Sequence, residues 1–221
     1  AMVMLGAMQQ IMPVVIGSPM PASRLTAWLT FLPLLSGASL LPSGFLLGAP
    51  VLLNLAWPLL GFAFAAFIIA SLISLLRSPA YNATKAAILL SITSLGGAIT
   101  AGMILAYGYA TGSLLPYTEL FTVHISLSLG GWVMLLIIGV SFQVVPMFQL
   151  TPNYPKLLAG SLVPAAFSAL LLSLLPLLFE PIPHWAIVIA HTLFWLLAVS
   201  YAVTTLSLQS RRRRRVHRRT Y

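Results

Sequence analysis

The chain of 221 residues contains no cysteine. Disulfides, thiolate metal ligands, iron–sulfur clusters and covalent c-type haem attachment are thereby excluded, and the redox compartment leaves no trace in the sequence. Acidic residues are nearly as scarce. There are two, Glu119 and Glu180, against 11 Lys and Arg. No Asp, Glu, Lys or Arg falls in the middle of an apolar run. Paired carboxylates for acid–base work, a carboxylate-bridged metal centre and a charged ion relay are therefore missing. Nor can a nucleophile be given an adjacent base.

What is abundant is apolar surface. Hydrophobic residues make up 60% of the chain and charged residues 6%, with a mean hydropathy of +1.02. A soluble domain of this size cannot bury so much, so the composition predicts an all-α, polytopic transmembrane bundle. Apolar runs place seven spans at about 1–17, 25–42, 50–76, 83–110, 117–149, 156–178 and 183–209. The first covers about 25 Å at 1.5 Å per residue, short against a hydrocarbon core of about 30 Å.

The placement of charge says more than its total of +9. Arg24, Arg77, Lys85 and Lys156 lie in alternate connections, and Arg211 to Arg215, Arg218 and Arg219 follow the last span. Seven alternating spans put all of them on one side and both acids on the other. The positive-inside rule makes the basic side cytoplasmic and puts the C-terminal tail there. The tail reads as a stop-transfer signal and an anchor to anionic lipid, with the bilayer as partner and no nucleic acid.

The chain also repeats itself. Gly6, Gln10 and Pro13 recur as Gly139, Gln143 and Pro146 (139 − 6, 143 − 10 and 146 − 13 each give 133). The same shift lays Ser18-Pro19 on Thr151-Pro152 and Pro50 on Pro183. A register held over about seventy residues argues for a duplicated unit. It divides the chain into a first four-helix unit at 1–116, with a truncated first helix, a second unit at 117–210, and a basic tail at 211–221. By the same shift an eighth helix is expected near residue 216, where the basic run stands instead, so the reading leans towards a fragment of a longer protein.

Histidine is the remaining candidate for chemistry. His124 falls about seven residues into the span 117–149, roughly 10 Å below its end. At helical spacing Ser128, Gly131, Leu135 and Phe142 continue its face. Small residues beneath a histidine leave a slot for a porphyrin, and a neutral imidazole is the usual axial ligand of b-type haem. A hydrogen bond to a neighbouring helix is the plainer role for the same residue. His191 lies eight residues into a span that starts from the same side, so a haem clamped between His124 and His191 is geometrically possible. His184, two turns from His191, is read as interfacial beside Trp185, and His217 as solvated. Gln10 and Gln143, each three before a proline, are suited to satisfy the carbonyl that the proline frees.

The stretch His124 to Pro146, HISLSLGGWVMLLIIGVSFQVVP, together with the four-helix repeat, resembles the haem-copper oxidase subunit I superfamily. The likeness is to bacterial membrane proteins similar to subunit I of cytochrome oxidase and nitric oxide reductase. That family builds twelve helices from three four-helix arcs. The resemblance implies that His124 stands where the second arc places a metal-binding histidine. The family's first-arc haem ligand would fall before residue 1. The chain departs from the pattern in having Ser128 where catalytic oxidases have a tyrosine, and no histidine pair in the span 156–178. The expectation is thus haem b bound by His124 and His191, with Ser128 and Gly131 beside it and no copper. The implied role is electron transfer or the handling of a diatomic gas in a bacterial inner membrane, with other respiratory-chain subunits as further partners. Two rivals remain at this point. One is a haem-free transporter whose path is lined by Gln10, Gln143 and Ser91, Thr93, Ser94 and Thr100; the other is a structural partner of a respiratory complex.

Overall fold

A computed structural model describes residues 1–175 and 183–212. Among these residues there are seven helices: α1 Met2–Ile16, α2 Ser23–Leu46, α3 Pro50–Arg77, α4 Ala83–Thr111, α5 Tyr117–Gln149, α6 Lys156–Leu174 and α7 His184–Ser210. The last six include runs long and apolar enough to cross a membrane. The chain is a multi-pass membrane protein. α1, with 15 residues, reaches only about 22 Å at helical rise. Helix is the form that such sequences must take, because it satisfies every backbone group within the segment where water is absent.

Most boundaries fall where the sequence punctuates itself. Asn82 caps α4, its side chain accepting from the Lys85 backbone N–H at 2.8 Å. α1 and α4 end on left-handed glycines, Gly17 at φ 68° and Gly112 at φ 68°. α2 differs from expectation, since it runs through Pro42 to Leu46. The reason is packing. Gly37 and Gly44 let α2 lie directly on Leu60 and Leu53 of α3, and the contact holds the helix beyond the proline. The expected end of the sixth span, near 178, lies outside the described residues, as do Glu180, His217 and the side chain of His184.

α4 is the hub, packing against α1, α3, α5 and α6. Its Ile88, Ile92 and Leu95 join a core with Met8, Met12 and Phe67. Ala87 and Ala98, also on α4, join a second core with Leu135, Phe142, Val163 and Ala166. α4 and α5 approach closely, for Ala87 fills the space that a side chain on Gly139 would need. Thr84 ties the same joint, its hydroxyl donating to the Gly139 carbonyl at 2.8 Å. α7 rests mainly on α6, presenting Trp185, Ile189, Trp195, Val199 and Leu206 outwards.

The two ends of the bundle differ in chemistry. At one end the connection after α1 meets the connection after α3: Ser74 Oγ donates to Ser18 O at 2.7 Å, Ser78 Oγ to Ile16 O at 2.6 Å and Asn82 Nδ2 to Val15 O at 3.2 Å. Tyr154, from the connection after α5, lies on the same cleft as Tyr81 and Asn82. Its hydroxyl is 2.9 Å from Thr205 Oγ1 on α7. Burial pushes the Tyr154 hydroxyl above its ordinary pKa, so it stays a neutral partner. Arg77, Lys85 and Lys156 all belong to this end. The opposite end carries an aromatic cluster, with Tyr109 against Phe45 at 5.3 Å and Tyr117 at 4.7 Å, and Trp57 against Tyr107 at 6.0 Å. Such rings favour the membrane interface.

Helix ends recur at the spacing seen in the sequence. α1 ends at Ile16 and α5 at Gln149; α2 starts at Ser23 and α6 at Lys156; α3 ends at Arg77 and α7 at Ser210. Each pair is 133 apart (149 − 16, 156 − 23, 210 − 77). The left-handed Gly17 has as its counterpart Leu150, also left-handed at φ 54°, a conformation costly for a residue with a side chain.

Candidate functional site

His124 sits half-buried in the regular first part of α5. Its Nδ1 lies 2.7 Å from the Ala98 carbonyl oxygen of α4. A carbonyl only accepts, so Nδ1 carries a proton and donates, and the lone pair of the neutral ring falls on Nε2. Among the described residues this is the ring's one hydrogen bond. Gly102, one turn beyond Ala98, makes the approach possible. A Cβ at that position would stand 2.8 Å from both Cε1 and Nδ1 of the imidazole.

Two residues past His124 the helix widens into a π-helical segment, Ser126–Met134, a form that recurs at functional sites. It divides the face that α-helical spacing draws through Ser128, Gly131, Leu135 and Phe142. Ser128 stays beside His124 on the wall of one cavity. Gly131 turns instead to α4, where the Ser94 side chain occupies the space a Cβ would need. Leu135 and Phe142 belong to the second core. The cause is the longer hydrogen-bonded ring of a π turn, which slips the register of everything beyond it. Trp132 comes to the cavity wall where the α-helical spacing puts Gly131.

The cavity has a volume of about 390 Å³ and lies between α1, α3, α4 and α5. Leu60, Phe64, Leu95, Met103 and Trp132 make its wall apolar, and His124, Ser128 and Trp57 supply the polar groups. The indole Nε1 of Trp57 is buried without a partner. An unpaired buried donor costs about 1–3 kcal/mol. Gly102, Trp57 and Trp132 are not singled out as site residues by sequence. A glycine facing a histidine across two helices has no local signature.

His191 is elsewhere. It is exposed on α7, with Nδ1 3.1 Å from the Ile187 carbonyl one turn back on its own helix, and it does not line the cavity of His124. The structure therefore does not bring the two imidazoles together. Among the described residues no three side chains of metal-binding type meet. The hydroxyls named for a transport path are dispersed as well. Ser91, Thr93, Ser94 and Thr100 each donate to a carbonyl of α4 itself, the serines buried and the threonines exposed.

No protein-family model, curated protein or solved structure matches the chain. Haem b needs an axial donor, apolar contact for the macrocycle and polar partners for two carboxylates. Nε2 of His124 fits the first need and the cavity wall the second. For the third, the lining offers the Ser128 hydroxyl, and neither Lys nor Arg. The residues present fit a single axial bond, not a clamp of two histidines.

Proposed function

We propose that this chain is a haem-b-binding protein of the bacterial inner membrane, related to haem-copper oxidase subunit I, that serves electron transfer or the handling of a diatomic gas. The observation that carries the reading is the hydrogen bond from His124 Nδ1 to Ala98 O. It fixes the ring's tautomer and orientation and leaves the Nε2 lone pair for a ligand, the arrangement expected of a ligating histidine. His124 would hold the haem through Nε2, and the group would supply one-electron chemistry. The chain's own residues would do the rest: His124 holds its proton at Nδ1, and Phe64, Met103 and Trp132 give the macrocycle apolar contact.

Duplication of one helical unit belongs to the same proposal. It is supported by the helix ends 133 residues apart and by the left-handed pair Gly17 and Leu150. The basic end is assigned to the cytoplasm by the positive-inside rule.

The test is spectroscopic. Protein purified from haem-sufficient cells should show a Soret band that His124→Ala abolishes and His191→Ala leaves intact. A colourless protein, or a His124→Ala variant with an unaltered spectrum, refutes the assignment.

A further inference from the structure

A second cavity, unconnected with His124, lies at the basic end. It has a volume of about 890 Å³ and opens between the α3–α4 connection and the start of α6. Lys85 and Lys156 both line it. The Lys85 ammonium is half-buried; it donates to the Ser78 carbonyl at 2.9 Å and stands 5.6 Å from the centre of the Tyr81 ring. An ammonium has three donors, so the bond to Ser78 leaves others free. Lys156, in the first turn of α6, is exposed. Among the described residues neither has a carboxylate to answer it, since the one acid there, Glu119, begins α5 at the opposite end.

Two cations face one cleft whose remaining wall is of another kind. Below them it is built from Leu72, Leu75, Leu76 and Leu89. Leu76 is 85% exposed and Leu157, beside Lys156, is also 85% exposed, so the cleft is open sideways to the bilayer. A free anion has no use for the leucines, and an acyl chain alone has no use for the lysines. An amphipathic anion uses both, and basic pockets between transmembrane helices bind anionic head groups in this way. The positive ends of the α4 and α6 dipoles add to the same field.

We propose that this cleft binds one anionic phospholipid, its phosphodiester between Lys85 and Lys156 and its acyl chains along α3 and α4. The lipid would join the α3–α4 connection to α6.

The full chain in detergent is titrated with phosphatidylglycerol and, in parallel, with phosphatidylcholine of the same chains, and retained lipid is read by native mass spectrometry. One phosphatidylglycerol should be retained per chain in preference to phosphatidylcholine. Removing charge should weaken retention on the order of five-fold for Lys156→Gln and thirty-fold for the Lys85→Gln, Lys156→Gln pair. Lys156→Gln is the safeguard against misfolding, because the site is exposed. A variant with Arg211 to Arg215 replaced by Gln should retain the lipid as before. Equal retention of the two lipids, loss only in the tail variant, or displacement by millimolar inorganic phosphate would each overturn the proposal, the last by assigning the cleft to a free anion.

Discussion

The contact between Gly102 and His124 can be tested without reference to any ligand. Gly102→Ala introduces a Cβ 2.8 Å from two ring atoms of His124, so the ring must move and its bond to Ala98 O is strained or lost. Overpacking costs about 1–3 kcal/mol and the hydrogen bond about 0.5–1.5 kcal/mol. The better helix propensity of alanine returns up to about 1 kcal/mol. The net expectation is a destabilisation of about 2 kcal/mol. His124→Ala alone loses the hydrogen bond and part of a half-buried ring, about 1–2 kcal/mol. In the double variant the clash has gone and the propensity gain remains, so the cost falls to about 1 kcal/mol. The pair should therefore fall short of additivity by about 2–3 kcal/mol. Reversible denaturation of the four proteins in detergent micelles measures this cycle. Additivity within about 0.5 kcal/mol would show that Gly102 does not make room for the imidazole, and the geometry of the site would have to be abandoned.

Two further outcomes are expected. Because the chain has no native cysteine, single cysteines report topology cleanly: those at Tyr81 and Asn153 should label from one side of sealed vesicles and one at Leu114 from the other, and labelling of all three from the same side would refute the helix order. Tyr201→Phe and Ser141→Ala each break the 2.7 Å bond that ties α7 to α5, so each should lower stability by about 1 kcal/mol. The double variant should cost little more than either alone, as measured by the same denaturation assay; fully additive losses would mean that the bond is not made.

The helices are legible because the sequence marks their ends chemically. Pro50 opens α3, Gly112 closes α4, and the basic residues gather at one end, so the apolar run 117–149 coincides with the helix Tyr117–Gln149. α2 is longer than its apolar run suggests because Pro42 reads locally as a stop. What overrules it is the fit of Gly37 and Gly44 onto α3, a tertiary fact with no local sign. The site is half legible. An intramembrane histidine with a serine one turn on is a sound candidate, and both line one cavity. The roles expected of Gly131 and His191 rest on an ideal α-helical wheel and on similar depth. Neither criterion contains the widening at Ser126–Met134 or the direction in which α7 turns its faces. Ser126 to Met134 suits a regular α-helix as well as a wide one.

That wide stretch makes α5 a helix with two azimuths. Before it, His124 looks towards α4 and the cavity shared with α1 and α3; after it, Leu135 and Phe142 look into the core with α6. A residue removed from such a stretch does not shorten a loop. It turns the N-terminal rod by about 100° relative to the C-terminal one, since an α-helix has 3.6 residues per turn. The number of residues between Ser126 and Met134 thus acts as the angular setting of His124. Evolution can redirect that side chain by insertion or deletion there, without altering either bundle face on which the rod is mounted.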